Sequence, residues 1–432
     1  MNNMKEYFDT LRSPLFSTQI WKELFDIHMT HFAIDFPFLH RRIFMGYVLE
    51  VYIDGFDTKN DTLSIVLAFV TLTARFHPKL QNSQTHNGVP AGDFFARATR
   101  DQLTKCEIEG DVTLKRVQAT LMLGYYECNA GQGKTGWVRI GVAIRCGQAI
   151  QWRGHDERDG PLSDEDRCIL DETRRRTFWA SWLIDRLSSY HEARFTMLDT
   201  QPLMPLPCSD EAFLLGRQVR TRLLREGDGS KEKRRNTTSV DNCGWAFGTN
   251  EITWELGAME GELSWYIKVV DAFSEIVKWS LADPVWQDKE MKPHQLNDRL
   301  EQLKATLPNE LRLTTENTMK RRGQASNMYL AIHAVCTISL INLYIPWVGT
   351  NATNSQEVPL DFEISTTDSS LCLKTCDEFA NMLQCFQSAN TQSTLVSMPM
   401  VEGTSFAVAM CTKCLSRVPS RRFPGFASDS QL

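Results

Sequence analysis

The sequence predicts an all-α protein: a large multi-helix array, helices packed in antiparallel pairs, with no sustained strands. Three observations carry this. Apolar residues recur three and four apart over many stretches, the period of one helix face. No stretch sustains the two-residue alternation of a half-buried strand. And residues 163–190, SDEDRCILDETRRRTFWASWLIDRLSSY, run without a single Pro or Gly.

Taken in order, residues 17–32 predict a helix with Ile20, Leu24, Ile27, His28 and His31 on one face. His28 and His31 lie one turn apart, but no third ligand sits at a matching spacing, so they read as half-buried histidines rather than a metal pair. Residues 35–44, DFPFLHRRIF, form an extended, Pro-containing link into a second helix. Asp61 caps a third, DTLSIVLAFVTLTARF, which is apolar nearly all round and therefore buried. Residues 93–106 and 111–128 give two more helices. Residues 131–136, GQGKTG, resemble the end of a phosphate-binding loop. That loop needs a Gly where Cys128 stands, and a strand before it where LMLGYYEC continues a helical pattern. The segment reads as a helix–helix connection with Lys134 in solvent. The helix WVRIGVAIRCGQAIQW follows, with Gly141, Ala143 and Gly147 keeping one side small and Arg145 among apolar neighbours.

The long stretch 163–190 comes next. Ser163 with Asp166 three residues on is an N-cap signature, and Asp164, Glu165 and Asp166 place negative charge on the positive end of the helix dipole. Ile169, Thr173, Arg176, Ala180, Leu183, Leu187 and Tyr190 share one face; Phe178, Trp182 and Asp185 adjoin it. A helix so widely apolar is mostly buried. Arg176 stands inside the apolar stripe, and a buried guanidinium demands partners. Glu172 lies one turn before Arg176, Asp171 one turn before Arg175, and Arg186 beside Asp185. Arg145, Glu172, Arg175, Arg176, Asp185 and Arg186 are therefore expected to form a structural ion-pair spine in the core. An anion-binding arginine is the sharper reading, but no phosphate loop accompanies it.

After this helix, Pro202, Pro205 and Pro207 exclude helix from an irregular stretch, and Ser209 starts a short one. Residues 227–249 are polar, Gly-bearing and locally basic at Lys231, Lys233, Arg234 and Arg235, a solvated loop or linker and a possible nuclear-import run. It divides the chain into 1–226 and 250–432. Helical patterning returns at 251–281, 295–307, 322–344, about 366–386 and about 400–415. The apolar run 328–348 is long enough to span a bilayer. It is interrupted by His333, Thr337, Ser339, Asn342 and Pro346, so it reads as a buried core helix, and no membrane partner is expected.

Composition narrows the function classes. The 432 residues are 42% hydrophobic and 23% charged, as in a soluble globular protein, and the net charge of −6 advertises neither nucleic acid nor lipid. The N-terminus MNNMKEYFDTLRS lacks a signal-peptide core, so the 12 cysteines are expected to be reduced and mostly buried in an intracellular protein. A nucleophile elbow, H-E-x-x-H, a dinucleotide G-x-G-x-x-G after a strand and a complete P-loop are all missing, so an enzyme is not expected. Cys372, Cys376, Cys385, Cys411 and Cys414 supply one C-x-x-C, whereas a zinc site wants two close pairs, so no metal ligands are assigned.

Five segments then form a specific pattern: FPFLHRRIF (36–44), LAFVTLTARFHPKL (67–80), GWVRIGVAIRCGQAI (136–150), DETRRRTFWASWLIDR (171–186) and MPLPCSDEAF (204–213). In order and spacing they resemble the regulatory "middle homology" domain of fungal zinc-cluster transcription factors, also called the xylanolytic activator regulatory domain. The matching positions are Trp137, Gly141, Ala143, Arg145, Glu172, Arg174, Arg175, Arg176, Phe178, Trp179, Asp185, Arg186, Leu206 and Pro207. The resemblance covers about 20–225 well, making 1–226 the N-terminal half of such a domain, and the helical half 250–432 loosely. Where the family continues with a Gly-Leu-His-Arg-like tail, this chain has Ile150, Gln151, Trp152 and Arg153. The resemblance implies control of transcription in the nucleus, DNA as ultimate partner, a possible small-molecule effector, and homo- or heterodimers with related factors. The family's six-cysteine zinc module is not found in these residues, the first cysteine being Cys106. No cofactor is therefore expected in this chain, zinc is expected only with an upstream module, and DNA binding by the chain alone is expected to be weak or absent. The alternative reading is a stand-alone all-helical ligand-binding protein or enzyme of unknown substrate.

Overall fold

A computed structural model describes residues 2–54, 61–81, 88–109, 112–152, 163–190, 196–198, 202–225, 253–280, 293–321 and 327–349, with Lys374 and Asn381. The fold is all-α. In chain order the helices are α1 (Asn2–Arg12), α2 (Thr18–His31), α3 (Arg41–Asp54), α4 (Asp61–Thr73), α5 (Pro78–Gln81), α6 (Ala91–Glu109), α7 (Leu114–Asn129), α8 (Gly133–Ala149), α9 (Asp164–Tyr190), α10 (Asp210–Leu214), α11 (Glu262–Ser280), α12 (Pro293–Thr306), α13 (Thr315–Arg321) and α14 (Asn327–Gly349). Two two-residue strands, β1 (Val219–Arg220) and β2 (Thr253–Trp254), pair in parallel with Val219 opposite Thr253.

The chain forms two compact units. The first comprises Met1–Asp271, Leu307–Leu311 and Ala325–Tyr329. Its centre is α4, buried along its whole length and packed against α6 and α7. A helix with no polar side needs neighbours all round. Phe69 on α4 meets Phe44 of α3 at 4.2 Å between ring centroids and Phe25 of α2 at 6.1 Å. His28, expected to be half-buried, is fully buried in this aromatic cluster, 5.6 Å from the Phe69 ring, and burial drives its pKa down to about 3. His31 instead stacks on Phe76 at 4.4 Å.

Helices α7 and α8 make a tight hairpin. The turn between them holds Gly131 at φ +78°, in the left-handed region that favours glycine. Helix α8 begins at Gly133, one turn earlier than its apolar period suggests, and Lys134 is solvated in its first turn. The two helices meet through glycine. A Cβ on Gly136 would lie 2.5 Å from both the Cys128 sulfur and the Gly124 carbonyl oxygen, so only Gly permits this approach.

The second unit comprises Ala272–Thr306, Arg312–Gln324 and Leu330–Leu432. Ile276, Leu296, Leu300 and Cys336 are among its buried residues, and Arg299 of α12 pairs with Glu275 of α11. Every residue of α14 from 329 to 343 is buried. Two of its polar residues are satisfied within the helix: the Ser339 hydroxyl donates to the Val335 carbonyl (2.6 Å) and the Asn342 amide to the Ile338 carbonyl (2.8 Å). Among the described residues no helix is long and apolar enough to cross a membrane. Of the helix expected at 366–386 only Lys374 and Asn381 are described, and the helix expected at 400–415 and the cysteines 372, 376, 385, 411 and 414 lie outside the described residues.

Candidate functional site

The polar centre of the first unit is built on α9. Ser163 caps it as expected: its hydroxyl accepts the Asp166 N–H at 3.1 Å and donates to the Asp166 carboxylate at 2.7 Å. Two turns in, Glu172 and Arg176 are both buried, and Arg176 Nε donates to Glu172 Oε1 at 3.0 Å. Arg176 then fastens the irregular segment 202–209 to the helix. Its Nη2 donates to the Cys208 carbonyl (2.9 Å), and its Nη1 to Asp210 Oδ1 (2.8 Å) and the Pro37 carbonyl (3.3 Å). Phe213 closes the site, its ring centroid 4.2 Å from the guanidinium carbon. Burial alone would lower the pKa of Arg176, but Asp210 and Glu172 outweigh it and hold the pKa above its ordinary value. The Asp210 side chain is 73% exposed, so Glu172 is the partner that water screens least.

Glu172 does more than balance one charge. Its Oε1 accepts the Cys208 N–H (2.9 Å) and its Oε2 pairs with Arg175 (3.1 Å). Asp171 pairs with Arg174 at 3.3 Å, one turn along the helix. Burial, then the Glu172 carboxylate, pushes the Cys208 thiol well above its usual pKa, which makes it inert. Further along the segment, Trp179 Nε1 donates to the Pro205 carbonyl (2.7 Å) and the Ser264 hydroxyl to the Pro207 carbonyl (2.8 Å). Glu255, just after β2, accepts the Ser209 N–H at 2.7 Å and its hydroxyl at 2.6 Å. The three prolines that prevent helix therefore produce a strap whose carbonyls at Pro205, Pro207 and Cys208 are satisfied by side chains of α9 and α11.

A second pair sits near the C-terminus of α9. Asp185 Oδ2 accepts the N–H groups of Met197 (2.8 Å) and Leu198 (3.0 Å). Arg186 lies 3.9 Å from that oxygen, donates to the Leu198 carbonyl (3.4 Å), and has its guanidinium carbon 3.6 Å from the centroid of the Trp182 ring. Asp185 and Arg186 thus fold the chain back on the helix they belong to.

Arg145 does not belong to this spine. Helix α8 turns Gly136, Ile140, Ala143, Ile144 and Gly147 inward, and Arg145 falls on the opposite side, exposed, its Nη1 donating to the Gln148 side chain at 3.0 Å. Apolar neighbours in sequence are not apolar neighbours in space when the helix is amphipathic. Arg145 and Asp185 both line a cavity of about 360 Å³ with Trp137, Ile140, Ile144 and Met197. The basic run Lys231, Lys233, Arg234 and Arg235 lies outside the described residues.

The sequence reading missed other charged groups. Glu127 is buried on α7, its two oxygens each 2.7 Å from an arginine, Arg100 of α6 and Arg139 of α8. The signal was a lone acid in an otherwise apolar helical run. Asp61, read only as a cap, is buried and accepts from Arg116 Nε at 3.1 Å and the Thr113 hydroxyl at 2.6 Å. Glu260, buried, pairs with Arg222 and Lys268. Asp210 and Glu255 had no local signature, since their partners are 34 and 46 residues away. Among the described residues no group of three His, Cys, Asp or Glu could hold a metal ion. The groups of the spine pair with one another and fasten the strap, which is the chemistry of a scaffold.

This order of elements and its arginine-bearing long helix define an all-helical domain held by buried ion pairs. Residues 6–226 match the fungal specific transcription factor domain, and the chain belongs to that family; it carries the regulatory domain of a fungal transcription factor. It is 26% identical over 313 residues to a Zn(2)-C6 fungal-type transcription factor of Fusarium oxysporum f. sp. lycopersici, covering 70% of this chain and 32% of that one. It is 25% identical over 233 residues to an uncharacterized transcriptional regulatory protein of Schizosaccharomyces pombe, covering 52% and 31%. A depudecin biosynthesis cluster-specific transcription activator of Fusarium langsethiae is 28% identical over 187 residues, covering 40% and 28%. The chain thus spans about a third of the length of the curated relatives it matches. No solved structure matches it.

Proposed function

We propose that this chain works in the nucleus as the regulatory part of a transcription factor, that it catalyses no reaction, and that it controls output through partners and a small effector. The observation that supports this most is the match of residues 6–226 to the transcription factor domain, in a chain whose relatives are named transcription factors and activators. The internal pairing of the arginine–carboxylate spine agrees with it, since Arg176, Glu172 and Asp210 are committed to holding the strap. In this reading zinc and base contacts belong to a six-cysteine module, in another part of the polypeptide or on a related factor paired with this one as a homo- or heterodimer.

Tagging the protein at its own locus and profiling transcripts after deletion tests the proposal. The expected result is nuclear fluorescence, a defined set of genes whose transcripts change on deletion, and recovery of their upstream DNA with the tagged protein. A tagged protein confined to the cytosol, with an unchanged transcript profile on deletion, would overturn it.

A further inference from the structure

The cavity beside α8 has the size and lining of a ligand site. Its volume, about 360 Å³, lies at the lower end of the range for small-molecule sites. Ile140 and Ile144, both buried, form its floor, with Trp137 half-buried beside them. Val138 and Val142 stand exposed along its walls. Met197 reaches over Gly141, its sulfur 3.3 Å from where a Gly141 Cβ would lie, so the missing side chain keeps the space open.

Two charged residues line this apolar space, and they are not equivalent. Asp185 is buried, its Oδ2 accepts two N–H groups, and Arg186 stands beside it. Its charge is therefore already compensated. Arg145 is exposed, and its Nη1 donates to the neutral Gln148 amide at 3.0 Å. Among the described residues no carboxylate pairs with Arg145, and it is the one cation among the described residues lining the cavity. An apolar hollow with one uncompensated guanidinium selects a molecule with an apolar body and one anionic group, because the body gains by leaving water and the anion gains a charge-assisted contact.

We propose that this cavity binds a small amphipathic anion, a compact aromatic or alicyclic carboxylate or sulfonate, with its ring against Trp137, Ile140 and Ile144 and its acid at Arg145. The proposal rests on the regulatory reading only for the purpose of binding: it deepens the effector role by giving it a place and a charge.

The test uses the purified full chain and a matched pair of fluorescent probes, anionic 8-anilinonaphthalene-1-sulfonate and neutral N-phenyl-1-naphthylamine. Both are expected to bind saturably at one site. Arg145→Gln should weaken the anionic probe about tenfold, the worth of one charge-assisted contact, and leave the neutral probe unchanged. Gly141→Leu, which fills the cavity, should abolish both. Should that variant unfold, Val142→Glu replaces it: an exposed substitution that should repel the anion alone. Absence of saturable binding, or anion binding that neither Arg145→Gln nor the wall variants change, would overturn the proposal. Such a failure leaves the nuclear and transcript tests standing, so it can be told apart from a failure of the regulatory reading.

Discussion

Arg176 shows how much one side chain can settle. It joins Glu172, the Cys208 carbonyl, Asp210 and the Pro37 carbonyl, so its loss leaves the buried Glu172 with the less buried Arg175 as its cation and loosens the strap. Arg176→Ala should lower stability by about 2–4 kcal/mol, the scale for breaking a buried pair by removing one partner. A thermal melt of the variant checks this, and an unchanged Tm would contradict the role. His28 makes a second prediction, this one of pH. Its folded pKa is depressed to about 3 by burial, against an ordinary 6.5. The neutral form is therefore the one folding favours. The stability it contributes is complete above pH 6.5 and is lost as pH falls from there toward 3, where the unfolded chain takes up a proton that the folded chain refuses. By pH 4 the loss from this group is about 3 kcal/mol. Chemical denaturation at pH 7 and pH 4 should show His28→Phe losing less stability than the parent over that interval. At this scale the sequence was informative where partners lie within one turn, as for Glu172 with Arg176. It was uninformative where they come from distant chain, as for Asp210 and Glu255, and it misplaced Arg145 because a run of neighbours was mistaken for a face.

At the scale of elements, the α7–α8 hairpin depends on where its glycines stand. Gly136 faces backbone atoms of α7, so a methyl group there cannot be accommodated by turning a side chain. Gly136→Ala should cost about 1–3 kcal/mol by overpacking. A methyl group added at Gly133 would meet no atom within 4 Å, and the residue starts the helix, so Gly133→Ala should be neutral or stabilising by up to about 1 kcal/mol. Parallel urea titrations of the two variants check the contrast; equal losses would mean that the hairpin is not packed through Gly136. The same hairpin shows what the sequence can specify. The long helix α9 and the short α10 were legible from capping, because Ser163 and Ser209 accept the N–H groups that a helix start leaves unpaired. Other helix boundaries were less so. A helix predicted from residue 251 gives way to β2, which pairs with β1 far back in the chain. Pairing across such a separation leaves no local period, so it is not readable from the segment alone.

At the scale of the whole molecule, charge decides what the chain can do with DNA. The net charge is −6, so the molecule as a whole repels a polyanion, and attraction must come from local groups. The largest local basic run in the sequence is Lys231, Lys233, Arg234 and Arg235. Four phosphate contacts would make binding fall about 100-fold between 50 and 200 mM salt, since each releases nearly one counterion. The purified chain should therefore shift duplex DNA weakly at low salt, without sequence preference, and not at physiological salt. Replacing the four residues by Ser should remove the low-salt shift without changing the thermal melt. A shift that persists at physiological salt and discriminates between sequences would mean that this chain carries a base-reading surface of its own. Its regulatory role would then have to be rebuilt around direct contact with DNA rather than around a partner.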